Sequence, residues 1–167
     1  MDTTIPTPQT PPADFAATAE TDLFSFIDQK DYHTVLNKQE DMPYVIRLGG
    51  IFLCLEGEGD VIINEQKYHL QPRTMCLAFR GTILQSLRTD DAFKGYTIAI
   101  NIDFIHDINI PSGTSLYMLI RDYPCVVLTQ EQTECILELC EMMRRKNARK
   151  QHPFRMQINS QILLTLC

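Results

Sequence analysis

Ile51-Phe52-Leu53-Cys54-Leu55-Glu56-Gly57-Glu58-Gly59-Asp60-Val61-Ile62-Ile63-Asn64 sets the pattern of the chain. Two short apolar runs, rich in β-branched and aromatic residues, flank a glycine break. That combination reads as strand, turn, strand. The same grammar repeats on either side. Tyr44–Leu48 precedes it, and Met75–Phe79, Ile83–Leu87 and Tyr96–Ile102 follow. Breaks are expected at Gly49-Gly50, Gly57-Glu58-Gly59, Asn64-Glu65-Gln66-Lys67, Pro72, Gly81 and Gly95. The Asn64–Lys67 break predicts a hairpin joining Val61–Asn64 to Lys67–Leu70. Pro72 lacks an N–H for a ladder bond and marks a boundary between strands. Strands in this succession predict an antiparallel barrel or sandwich.

The period changes at Thr129. Thr129-Gln130-Glu131-Gln132 has the form of a capping box, with Thr129 at the N-cap. Ile136, Leu139, Cys140 and Met143 then recur at helical spacing and form one apolar stripe. Glu131 and Glu134 suit the helix start, and Arg144, Arg145 and Lys146 suit its end. A second helix is expected from about Pro153, with Phe154, Ile158, Ile162 and Leu166 four apart. The fold class is therefore α+β: an antiparallel β domain followed by two helices.

The remaining segments are less regular. Residues 1–20 hold Pro6, Pro8, Pro11 and Pro12 among Thr, Ala and acids, and are expected to be a disordered tail. Residues 22–44 read as an arm or a first edge strand. Asp103 is a candidate N-cap for a short helix carrying Phe104 and Ile105. A short helix followed by an extended Cys125–Leu128 fits residues 115–128. Domain limits follow: a tail over 1–20, the β domain with its arm over 21–128, and a helical segment over 129–167. The chain stops at Cys167 within an apolar helical pattern, so further chain is expected beyond it.

At 167 residues and 44% hydrophobic content, one cored domain is the expectation. Net charge is −6, which disfavours a phosphate backbone gripped by the whole surface. Residues 1–128 hold 9 basic against 17 acidic side chains, a net of −8, and residues 129–167 hold 6 against 4, a net of +2. The run Arg144–Lys150 is the one basic cluster and reads as a solvated helix end. No signal peptide or membrane-spanning run is present, so a cytoplasmic location is expected.

The six cysteines include no CxxC pair, which removes the zinc-ribbon and thioredoxin signatures. They read as buried free thiols, and Cys54 and Cys76 lie in apolar runs that make a thiol inert. His33, His69, His106 and His152 are scattered, with only His69 in the β stretch. No metal-ligand spacing results, and no metal or cofactor is expected. No nucleophile elbow or phosphate loop appears. Glu56 and Glu58 read as exposed turn acids.

The order of these pieces resembles a known family. Ile51–Asn64, then Tyr68-His69-Leu70-Gln71-Pro72-Arg73-Thr74-Met75, Gly95-Tyr96-Thr97-Ile98 and Asp103-Phe104-Ile105 look like the N-terminal domain of AraC-family transcription regulators, in the form common in Bacteroidetes. The likeness covers about residues 42–167. It implies a cupin-like, jelly-roll-like β-barrel that senses a small molecule without a metal, two helices that form a homodimer, and DNA contact through a C-terminal helix-turn-helix domain absent from this sequence. Candidate inward-facing ligand residues are Arg47, Phe52, Cys54, Tyr68, Met75, Phe79, Gln85 and Tyr96. Candidate dimer residues are Ile136, Leu139, Cys140 and Met143, with Phe154, Ile158, Ile162 and Leu166 in support. The stripes could instead pack on the chain's own barrel. The reading is a sensor and not an enzyme. The alternatives are a small cupin-type enzyme, such as an isomerase or dioxygenase, and a ligand-free dimerisation scaffold.

Overall fold

The strand β3 (Gly49–Glu56) is buried on both of its faces, and the layers of the molecule follow from that. The computed structural model describes residues 24–27, 43–46, 49–101, 113–149 and 151–166. In chain order the other strands are β1 (Phe24–Ile27), β2 (Tyr44–Val45), β4 (Gly59–Ile63), β5 (Gln66–Leu70), β6 (Thr74–Ala78), β7 (Ile83–Thr89), β8 (Lys94–Ile100) and β9 (Cys125–Val127). The helices are α1 (Gly113–Asp122), α2 (Gln130–Asn147) and α3 (Arg155–Leu166).

The strands form two antiparallel sheets, ordered β1-β8-β3-β6-β9 and β2-β7-β4-β5. The first eight strands have the order of a double-sheet jelly roll, and β9 extends one edge. A closed barrel is not what forms: among the described residues the two sheets stay separate, so the expected barrel is corrected to a sandwich.

Cross-strand rows show how β3 is shared. On one face Met75, Leu53 and Tyr96 lie in register, as do Leu77, Ile51 and Ile98. These residues meet Cys140 and Met143 of α2 and Ile162, Leu163 and Leu166 of α3 in one core cluster. On the other face Cys125, Cys76, Phe52 and Thr97 form a row. Phe52, Cys76, Cys125 and Cys54 meet Val61, Ile63, Tyr68, Leu70 and Leu84 of the second sheet. Each large apolar side chain so buried contributes roughly 1.5–3 kcal/mol. The helical layer is thus the second cover of the first sheet.

The local signals in the sequence explain most boundaries. Asn64 and Glu65 take φ of 48° and 68°, the two left-handed residues of a tight hairpin between β4 and β5. The Asn64 side chain fixes that hairpin to β7, accepting the Ile83 N–H at 2.9 Å. Thr129 caps α2 as its box predicts: its hydroxyl accepts the Gln132 N–H at 3.2 Å, and Gln132 accepts the Thr129 N–H at 2.9 Å.

Three expectations need correction. Gly49-Gly50 is not a break, because both residues pair with β8 at the start of β3. Gly95 also lies inside a strand, where a Cβ would come within 2.9 Å of the Phe52 Cζ. Its lack of a side chain makes room for that ring, which stacks on Phe93 with centroids 5.9 Å apart. Finally, α3 begins at Arg155, so Phe154 lies before it and is exposed, while Ile162 and Leu166 of the expected stripe are buried together with Asn159 and Leu163. The N-terminal tail, the Asp103 helix, Arg47 and the last residue lie outside the described residues.

Candidate functional site

The end of the sandwich that carries the β4–β5 hairpin opens into a pocket of about 460 Å³. Its walls come from four separate pieces of chain: Asn64 and Gln66 from the hairpin, Leu77 and Phe79 from β6 and its exit, Gly81 and Thr82 from the turn into β7, and Ile120, Arg121, Asp122 and Pro124 from the end of α1. The size lies in the range that holds a small organic molecule.

The turn geometry fixes this wall. Gly81 has φ of 94°, a left-handed conformation that a side chain opposes. Thr82 donates its N–H to the Phe79 carbonyl at 3.1 Å, and its hydroxyl accepts the Phe79 N–H at 3.2 Å. The Asn64 oxygen is held by Ile83 and the Gln66 oxygen by the Tyr68 hydroxyl at 2.7 Å, so each amide offers N–H donors. Arg121 and Asp122 pair at 2.9 Å on the opposite wall. The lining therefore combines four apolar side chains with amide donors and an ion pair. That mixture suits a partly apolar molecule with hydrogen-bond acceptors.

The residues expected to face a ligand are dispersed. Phe79 alone lines the pocket. Phe52 and Tyr68 are core residues between the sheets. Met75 and Tyr96 point the other way, into the helix-facing cluster. Burial, then the neighbouring Cys140 and Glu141, push the Tyr96 hydroxyl up to about 12. Gln85 is the extra residue of a bulge in β7, between Leu84 paired with Ile63 and Ser86 paired with Ile62. Cys54 is fully buried, and burial together with Asp90 and Glu58 raises its thiol to about 11.

The stripe residues are accounted for within the chain. Cys140, Met143, Ile162 and Leu166 are core, and Ile136, Leu139 and Ile158 pack against that core. Phe154 is 61% exposed, just before α3, and Met142 is 40% exposed on α2. Among the described residues of α2, α3 and the link between them, these two are the exposed large apolar side chains.

The opposite end of the sandwich carries charge. Asp60 pairs with Lys67 at 3.0 Å and with His69 at 3.2 Å, and Lys94 pairs with Glu56. Glu58 donates its N–H to Asp90 at 3.0 Å. All are surface pairs, of small energetic value. Among the described residues no group of three His, Cys, Asp or Glu side chains is placed to hold a metal ion. No helix of the described residues is long and apolar enough to cross a membrane.

Sequence reasoning missed most of the pocket. In the sequence, Asn64, Gln66 and Gly81 carry turn signals only. Thr82 and the end of α1 carry no motif, and nothing in one sequence brings them together.

No family model matches the chain, and no curated protein does. Solved structures overlap it loosely. The AraC-like transcriptional activator CuxR is 9% identical with a TM-score of 0.48, over 86% of this chain and 47% of that one. ToxT from Vibrio cholerae O395 is 12% identical with a TM-score of 0.39, over 86% and 54%. The Clostridium difficile EutQ protein is 12% identical with a TM-score of 0.32, over 48% and 55%. The chain spans about half the length of these structures. Overlaps this loose carry no weight for function, and the fold rests on the strand order.

Proposed function

We propose that this chain is the effector-sensing and dimerisation domain of a cytoplasmic transcription regulator of AraC type, a binding module and not an enzyme. The observation that carries the reading is the double use of the first sheet. Phe52, Cys54 and Cys76 pack against the second sheet, while Ile51, Leu53, Met75, Ile98 and Ile100 pack against α2 and α3. Any change in how the sheets sit is felt by the helices, because interiors are close-packed and transmit displacement. The order of motifs from Ile51 to Ile105 supports the same reading. The effector would sit in the 460 Å³ pocket at the sandwich end, act without a metal, and favour one arrangement of sandwich and helices. Dimer contact would use the open side of the helical layer, around Met142 and Phe154. DNA would be reached through a domain outside these residues.

A thermal-shift screen of small amphipathic metabolites tests this reading. A binder present at 100 times its Kd adds about 2.7 kcal/mol of stability, or roughly 5–11 °C in Tm for a domain of this size. Gln66→Trp places bulk on an exposed residue of the pocket wall and should abolish the shift. A shift unchanged by Gln66→Trp, or a screen in which no compound stabilises the chain, would reject the pocket as the effector site.

A further inference from the structure

Cys76 and Cys125 face each other across β6 and β9. The Leu77 N–H donates to the Pro124 carbonyl at 2.8 Å. That bond makes Leu77 and Pro124 the hydrogen-bonded pair and leaves Cys76 and Cys125 as the adjacent non-hydrogen-bonded pair. In such a pair the Cα atoms lie about 4.5 Å apart and the side chains approach most closely. A disulfide spans Cα separations of about 4.4–6.8 Å, so the backbone already meets its requirement. Both thiols are free, and the neighbouring Cys125, together with burial, raises the Cys76 thiol.

A third thiol discriminates this pair from a generic cluster. Cys54 lies on the same face of the first sheet, but Phe52 is the residue opposite Cys76. Cys54 is a diagonal neighbour, about 7–8 Å away between Cα atoms, beyond disulfide reach. Its thiol donates to the backbone carbonyls of Glu56 and Gly57.

We propose that Cys76 and Cys125 form a cross-strand dithiol that a hydroperoxide oxidises to a disulfide, pinning β9 to the sandwich. Cys125 is partly exposed and Cys76 is buried, so oxidation starts at Cys125. The Cys125 sulfur attacks the peroxide, the O–O bond breaks, and a sulfenic acid and an alcohol or water result. The Cys76 sulfur then attacks the sulfenic sulfur. The S–S bond forms, the S–O bond breaks, and the Cys76 proton leaves with the hydroxyl as water. In total two thiols are oxidised and one peroxide is reduced.

The consequence follows from position. β9 is an edge strand of three residues with three register pairs to β6. It leads through Leu128, whose N–H donates to the Arg73 carbonyl at 3.0 Å, into the Thr129 cap of α2. Pro124, next to Cys125, also lines the pocket. A disulfide here fixes the root of α2 and one pocket wall to the sheet. The proposal goes beyond the effector reading and does not depend on it.

The test treats the reduced full chain, dilute, with hydrogen peroxide, then alkylates in denaturant and digests after Arg and Glu. Residues 74–80 and 122–131 are then separate peptides with one cysteine each. The expected result is a fall from six to four alkylatable thiols within one chain, a cross-link between those two peptides, and reversal by dithiothreitol. Cys125→Ser should abolish the cross-link and Cys54→Ser should leave it. A Cys125 that proceeds to sulfinic acid beside an intact Cys76 thiol, a bond to any other cysteine, or no oxidation of either residue would overturn the proposal, and the wild-type peptide map alone decides this.

Discussion

Met142 and Met143 are adjacent on α2 and opposite in environment, which makes them a clean probe of the helical layer. Met143 is 0% exposed and sits in the cluster that joins α2 and α3 to the first sheet, whereas Met142 is 40% exposed. Met143→Ala removes the buried transfer energy of the side chain and leaves a cavity in the cluster that also holds Leu53 and Ile98. Together these cost about 2–5 kcal/mol for a buried methionine. The same change at Met142 falls within about 0.5 kcal/mol, and helix propensity slightly favours Ala at both sites. At about 2–4 °C per kcal/mol, Met143→Ala should lower Tm by roughly 4–20 °C and Met142→Ala by under about 2 °C. Urea melts followed by far-ultraviolet circular dichroism give the free energies. Equal costs at the two sites, or a larger cost at Met142, would refute the packing of α2 on its own sheet.

Further outcomes follow from single residues. Asn159 is 0% exposed on the buried stripe of α3, and among the described residues neither atom of its amide has a hydrogen-bond partner. Asn159→Leu should therefore stabilise the chain by about 1–3 kcal/mol, read in urea melts, and a loss of stability would contradict this. Gly57 has φ of 72°, and a Cβ there would lie 2.5 Å from the Phe93 nitrogen, whereas Gly81 has φ of 94° with nothing within 4 Å. Gly57→Ala should cost about 2–4 kcal/mol, the left-handed strain of about 1–2 kcal/mol plus a backbone clash, and Gly81→Ala only the strain. Equal Tm losses would refute the difference. Burial raises Cys140 from 9.0 to about 12 and Tyr96 from 10.0 to about 12. A raised folded value favours the neutral form, so this stability is complete below pH 9 and is lost as pH rises toward 12. Urea midpoints should fall between pH 9 and 11, less steeply in Cys140→Val, and parallel slopes would contradict the assignment.

Much of the fold was legible because its signals are local. The Asn64 hairpin and the Thr129 box each specify a geometry within four residues, and both form as read. Strand existence followed from short β-branched runs. Facing was not legible, because a one-residue change of register moves a side chain to the other face. Met75 and Tyr96 were assigned to the interior and lie toward the helices, and the β7 bulge at Gln85 breaks any count along that strand. One clue was present but unused: Ile51-Phe52-Leu53-Cys54-Leu55 is apolar without alternation, the mark of a strand covered on both faces. The pocket was illegible for a different reason. It joins Asn64, Thr82 and Ile120, which are distant in sequence and share no motif.

Coupling from the sandwich to the helices requires the two to act as one body. Native-state amide hydrogen exchange measures this directly, comparing the amides of Leu53 and Ile98 in the first sheet with those of Cys140 and Met143 in α2 and Ile162 in α3. All five residues are core in one cluster. A single unit opens cooperatively, so their opening free energies should agree within about 1 kcal/mol and all should fall together in Met143→Ala. Helical amides that exchange several kcal/mol more easily than those of β3 and β8 would show a helical layer that opens by itself, and would contradict the coupling of sandwich to helices.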